Sequence, residues 1–208
     1  MRKCLLGLLF ILALTFGSCE DEHYMPAYTQ DLAEMTTNVH GMAKMLIFDD
    51  GRKMKIVNQL GGLTPDSLYR IRALYVPTED GVELRGAQLV VAPLTLRMDP
   101  LLVKTEPVEL KAIWGSPRYV NMLLGVKSGG GSQMIGFIEN GIVEMADGIK
   151  KLSITLFHDQ IDDPLYYTQD VYASCPIYPY AYDLVSGRDS VEMIIHTFKG
   201  ITRKSFLY

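Results

Sequence analysis

The sequence predicts an all-β protein built as two β modules joined by a proline-rich stretch. Segments in which apolar and polar residues alternate at period two recur along the chain, and the breaks between them are Gly-rich or acidic turns. Composition agrees. With 48% hydrophobic and 21% charged residues the chain can pack a core, and Val, Ile, Tyr, Phe and Thr, which favour strands, are well represented.

Each element follows from local pattern. Met42 to Phe48, apolar except for Lys44, runs into Asp49-Asp50-Gly51, whose glycine can supply the positive φ of a tight turn; Lys53 to Ile56 then alternates back, making a first hairpin. In a second hairpin, Tyr69 to Val76 alternates Arg70 and Arg72 with Ile71, Glu79-Asp80-Gly81 turns, and Val82 to Val91 returns. Thr64-Pro65-Asp66-Ser67 has the residues of a helix start, with Thr64 as cap and Pro65 at the first position. The strand formers that follow at period two favour a turn there instead. Pro93 to Pro107 holds three prolines and no clean period, as expected of a linker. Strand patterns resume at Val108 to Trp114, Tyr119 to Val126, Met134 to Ile138, Leu152 to Phe157, Val191 to Phe198 and Ser205 to Tyr208, and point to a β-sandwich. Ser128 to Ser132 is expected to be a flexible hairpin loop, since it lacks the Lys-Ser/Thr pair and following helix of a phosphate-binding loop.

The N-terminus carries an address. Arg2 and Lys3 precede an apolar run from Cys4 to Phe16 and a small-residue junction, Gly17-Ser18-Cys19, the layout of a cleavable export signal. The run falls short of the roughly 20 apolar residues of a membrane span. Cys19 resembles a bacterial lipobox cysteine, lipidated to become the mature N-terminus, although Phe16 stands where an aliphatic residue is usual; plain secretion is the alternative. Removing residues 1–18 from 208 leaves 190 and moves the formal charge from −4 to −6. The expected divisions are a signal peptide over 1–18, an acidic tether over 19–37, a first β module over 38–97 and a sandwich module over 104–208. Glu20-Asp21-Glu22 matches in character the outward-export signal of surface lipoproteins in Bacteroidetes-like bacteria, or is a solvated spacer.

Function is less legible. An acidic chain argues against nucleic-acid partners, which need a Lys/Arg excess on one face. Cys175 has no partner once Cys4 is removed and Cys19 lipidated, and reads as a small buried apolar residue. His158, Asp159, Asp162 and Asp163 crowd six positions without the spacing of a calcium loop, so a solvated turn is expected, with His158 tying it down and no metal or cofactor assigned. No G-x-S-x-G, C-x-x-C or H-E-x-x-H pattern occurs, and no catalytic residue is assigned. Tyr166, Tyr167, Tyr172, Tyr178, Tyr180 and Tyr182 form the densest compositional cluster. They read either as an aromatic loop for a sugar or protein partner, or as rings packed on a sheet. Arg70 and Arg72, with Lys53 and Lys55, read as a basic barrel face for binding or as a solvated one.

Taken together, DDGRKMKIVN, LYRIRALYV, GVELRGAQLVVAP, IWGSPRYVNMLLGV and LSITLFHD, behind a lipobox and an acidic tether, resemble the NigD-like lipoproteins of Bacteroidetes over nearly the whole mature chain. The Gly129-Gly130-Gly131 loop and the residues around Gln133-Met134 depart from the family pattern. The resemblance implies a small OB-like barrel followed by a β-sandwich. It carries a suggested bacteriocin-immunity role and no catalytic residues. The expected protein is therefore a non-enzymatic, exported envelope protein held by an N-terminal lipid, in the outer membrane or at the cell surface. Its partner would be a toxin-like protein, or alternatively a surface glycan or peptide; a hydrolase using His158 and the nearby acids is the rival reading.

Overall fold

A computed structural model describes residues 27–208; the export segment, Cys19 and Glu20-Asp21-Glu22 lie outside the described residues. Among the described residues, twelve strands and two short 3-10 turns make up the regular structure. The first five strands are β1 (Thr29–Thr37), β2 (Ala43–Phe48), β3 (Lys53–Lys55), β4 (Leu68–Thr78) and β5 (Gly81–Leu89), arranged in the order β3-β2-β1-β4-β5. The two outer strands then meet. Ile56, just past β3, bridges Val82 in parallel, and the Val57 amide donates to the Val82 carbonyl at 2.9 Å. The ring thus runs β1, β2, β3, β5, β4 and back to β1, which is the partly open Greek-key barrel of an OB fold. Gly81 permits the closure: its φ is +150°, and a Cβ there would collide with the Lys55 carbonyl. Alternate residues of β1, β2, β4 and β5 fill the barrel, among them Leu46, Phe48, Ile71, Tyr75 and Val82.

Both hairpins expected in this half are present, and residues 64–67 form a turn, with Asp66 at φ +46°. The tether expected over 19–37 is corrected in its second half, where β1 is the central strand of the sheet, paired with both β2 and β4. Its acids hid it. Asp31 and Glu34 suggest solvent exposure, yet the Tyr75 hydroxyl donates to Asp31 at 2.8 Å, and Glu34 is buried against Arg118 and Tyr119.

The other seven strands form two sheets. β6 (Glu109–Gly115), β7 (Tyr119–Ser128) and β10 (Tyr167–Pro176) make one, in the order β10-β7-β6. β8 (Met134–Glu144), β9 (Lys150–Asp159), β11 (Ser190–Thr197) and β12 (Gly200–Leu207) make the other, in the order β12-β11-β9-β8, with β11 parallel to β9. Between them lies a second core that includes Met122, Leu124, Phe137, Ile154, Met193 and Ile195. Cys175 is fully buried in it, and burial raises its thiol pKa far above the usual range.

The proline-rich stretch behaves differently from a free linker. Val91 pairs with Ala173, Leu96 with Ile138, Thr105 with His158 and Val108 with Thr197, so residues 91–108 are bound to the sandwich along their length. The sandwich contacts therefore begin at Val91, inside the range expected for the barrel. Proline rules out regular sheet pairing, and isolated bridges between the prolines satisfy the backbone instead.

Candidate functional site

Strand alternation decides which side chains of β4 meet the sandwich. Ile71, Ala73 and Tyr75 point into the barrel, which turns Arg70 and Arg72 outward. That outer face is covered by β7 and β10. Arg70 is buried and donates through both Nη atoms to Asp49, at 2.6 and 2.8 Å, through Nη2 to Asn121 Oδ1 at 3.0 Å, and through Nε to Ser174 Oγ at 3.2 Å. Its guanidinium lies 4.0 Å from the centre of the Tyr119 ring. Asn121 donates onward to Asp49 at 2.8 Å, and Ser174 donates to Asn121 at 2.7 Å. Beside this network Arg118 and the Tyr119 hydroxyl both donate to Glu34, at 3.0 and 2.6 Å. Burial, and then the bond to Glu34, raise the Tyr119 phenol well above its ordinary pKa. The basic surface expected of Arg70 is thus corrected: Arg70 is a buried tie between barrel and sandwich.

Arg72, two residues on, opens onto solvent. It lines a cleft of about 400 Å³ between the two modules, together with Asp31, Phe48, Arg52, Trp114 and Tyr172. Its guanidinium stands 4.7 Å from the Tyr172 ring centre. Arg52 stands over Phe48 at 4.9 Å and is paired with Asp50. Tyr75, at the barrel mouth, has its phenol pushed up to about 12 by burial and by its bond to Asp31. Trp114 is 38% exposed at the rim. Of the residues singled out as binding candidates, Arg72 and Tyr172 are brought together; Asp31, Arg52 and Trp114 escaped notice because nothing local links positions so far apart in sequence.

The six tyrosines do not form one surface. Most of the stretch read as an aromatic loop is strand β10, which places Tyr166 and Tyr167 at one end and Tyr178, Tyr180 and Tyr182 beyond the other. Tyr166, Tyr167 and Tyr182 are exposed, Tyr172 is half-buried under Arg72, and Tyr178 packs edge-on to Tyr119 at 5.9 Å beneath Arg118. Tyr180 is core. Three prolines and six tyrosines concealed the strand, because β10 starts exposed over Tyr167 to Asp170 and ends buried on both faces, with Ala173 and Cys175 in the sandwich core and Ser174 on the Arg70 seam, so it shows no single period.

The turn expected near His158 is present and exposed at Ile161-Asp162, but His158 and Asp163 on either side of it are buried. Both ring nitrogens of buried His158 are engaged, Nδ1 with the Glu106 carbonyl at 2.9 Å and Nε2 with Gln133 Oε1 at 2.8 Å. Asp163 is buried and accepts from Ser128 Oγ at 2.7 Å, from the Gly129 and Gly131 amides at 3.0 and 2.8 Å, and from Gln133 Nε2. The glycine loop is therefore cinched around a carboxylate instead of swinging free. Among the described residues, no three His, Cys, Asp or Glu side chains converge as metal ligands. Bonds from Ser128 and Gln133, then those from the Gly131 and Gly129 amides, outweigh burial and hold the Asp163 carboxyl at about 2, against an ordinary value of 3.8. A depressed carboxyl pKa stabilises the fold in full above the ordinary value and stops doing so as pH falls through the folded one. Denaturant midpoints measured from pH 5 down to pH 2 should fall steeply between about pH 4 and pH 2, and less steeply in Asp163→Asn. Parallel curves for the two proteins would contradict this.

An OB-type barrel locked to a β-sandwich by a buried polar seam, with an Arg and aromatic cleft beside it, defines a two-module all-β fold. The same fold is seen in a NigD-like immunity protein from Bacteroides caccae, with a TM-score of 0.68 and 20% identity over 89% of this chain and 99% of that one. It also matches a protein of unknown function from Bacteroides vulgatus, at TM-score 0.67 and 16% identity over 86% and 91%. A candidate lipoprotein from Bacteroides fragilis matches at 0.59 and 8% identity over 87% and 97%. No protein-family sequence profile matches the chain, and no curated protein matches it by sequence.

Proposed function

We propose that this chain is an exported envelope protein, anchored by a lipid on Cys19, that binds a protein partner in the manner of a NigD-like immunity protein. The inter-module cleft carries the reading. Arg, Trp and Tyr are the residue types that dominate protein-binding hot spots, and Arg72, Trp114 and Tyr172 line this one cleft. Holding both ring nitrogens of His158 in fixed bonds fits a binding role better than proton transfer. Nine residues separate Cys19 from Thr29, so the connector can span at most about 35 Å, which keeps the cleft close to the membrane. The partner is accordingly one met at the membrane, as a toxin acting on the envelope would be.

The test is protection. A susceptible Bacteroides strain expressing the full chain should survive supernatants from bacteriocin-producing strains at least tenfold better than one expressing Cys19→Ala, and only the former should incorporate labelled fatty acid. Lipidation without protection from any producer would leave the anchored protein in place and remove the immunity role.

A further inference from the structure

We infer that the cleft at Arg72 is a receptor for a single carboxylate, the side chain of an Asp or Glu presented by a protein partner; this rests on the binding role proposed above. Eight arginines lie among the described residues, and seven of them (Arg52, Arg70, Arg85, Arg97, Arg118, Arg188 and Arg203) each sit within 3.1 Å of a carboxylate. Of these eight, Arg72 alone has no acidic partner among the described residues. Among the described residues, its Nε is, with Glu106 Oε2, one of two buried side-chain nitrogen or oxygen atoms without a hydrogen bond. A buried donor left without an acceptor is costly, and a guanidinium aligned on an aromatic face is preorganised for a planar acceptor. Arg72 combines both conditions in a cleft large enough for a side chain and its neighbours.

The nearby acids are already engaged. Asp49 is held by Arg70 and Asn121, Asp50 by Arg52, and Asp31 by the Tyr75 hydroxyl. None can turn to Arg72 without abandoning its own donor. Those acids also select the ligand. The lining carries Arg52 and Arg72 against Asp31, Asp49 and Asp50, with buried Arg70 behind Asp49, so a singly charged carboxylate that reaches Arg72 meets less repulsion than a phosphate dianion does. Trp114 at the rim favours an acidic residue with an apolar or aromatic neighbour in the partner's sequence.

The measurement is an NMR titration of the mature-length Cys19→Ala protein, following the Arg side-chain Nε–H resonances. N-acetylglutamate α-amide should shift the Arg72 resonance saturably, and the isosteric N-acetylglutamine α-amide should not. Arg72→Met, whose stem still covers Tyr172, should keep the wild-type melting temperature and weaken the glutamate probe at least tenfold. Arg72→Lys, which keeps the charge and loses the fork, should rescue it only in part. Equal shifts by the two probes, or tighter binding of inorganic phosphate, would overturn the inference, and the probe comparison does so without any variant. Tighter binding of glucuronate would replace the protein partner by an acidic glycan. A saturable glutamate shift in a chain that gives no toxin protection would retain the carboxylate site and reject the immunity role.

Discussion

Arg70→Ala is expected to destabilise the folded chain by about 3–5 kcal/mol, the range for removing one partner of a buried ion pair. The side chain is only 4% exposed and supplies donors to Asp49, Asn121 and Ser174 together, so its loss leaves the Asp49 carboxylate in the seam with the neutral Asn121 amide as its remaining donor. Asp49→Ala should also be severe, because the guanidinium then keeps only two neutral acceptors in a nearly dry site. The double variant should cost clearly less than the sum of the two singles, with a coupling of roughly 1.5–3 kcal/mol. Urea unfolding of the four proteins gives the cycle directly. Additive losses would mean that the seam is a set of independent contacts. A second readout concerns the modules themselves: two cores meeting through a polar seam should unfold together in the wild type and lose that coincidence when the seam is cut.

What could be read in the sequence follows from where each segment gets its stabilisation. Both barrel hairpins were legible because Asp49-Asp50-Gly51 and Glu79-Asp80-Gly81 are local turn signals between alternating runs, and Gly51 and Gly81 do adopt positive φ. β1 and β10 were not legible. β1 carries acids whose partners lie 44 to 85 positions away, and burial of a charge reads as exposure until its partner is known. β10 is covered differently along its length, which erases period two. The cleft has the same origin: Arg72 and Tyr172 could each be noticed, but their meeting depends on β4 packing across β10. Arg70 and Arg72 share a strand, yet burial gives them opposite roles, one a tie and the other a candidate receptor. The linker failed for a related reason. Prolines mark a segment that cannot join a regular sheet, yet residues 91–108 still reach acceptors on the sandwich at Tyr172, Phe137, His158 and His196.

The tyrosine-rich stretch yields the second large effect, and it divides the cluster. Tyr180→Ala should destabilise by about 3–5 kcal/mol, as aromatic truncations in cores do. The ring is part of the sandwich core, and its hydroxyl bridges Thr95 of the bound linker at 2.6 Å and Glu139 of β8 at 3.1 Å, with burial pushing the phenol up to about 12. Tyr180→Phe separates the two contributions: it keeps the ring and removes the bridge, so it should cost about 1 kcal/mol and loosen the attachment of residues 91–108. Tyr182→Ala, at a fully exposed position, should change stability by less than about 0.5 kcal/mol. Tyr178→Ala falls between them, losing its edge contact with Tyr119 and its stack under Arg118, for about 1–2 kcal/mol. Thermal and urea denaturation of the four variants should therefore order them Tyr180→Ala, Tyr178→Ala, Tyr180→Phe, Tyr182→Ala. Equal losses for Tyr180→Ala and Tyr182→Ala would mean that the rings act as one packed layer, and equal tolerance of both would return the stretch to the exposed aromatic loop that its composition suggests.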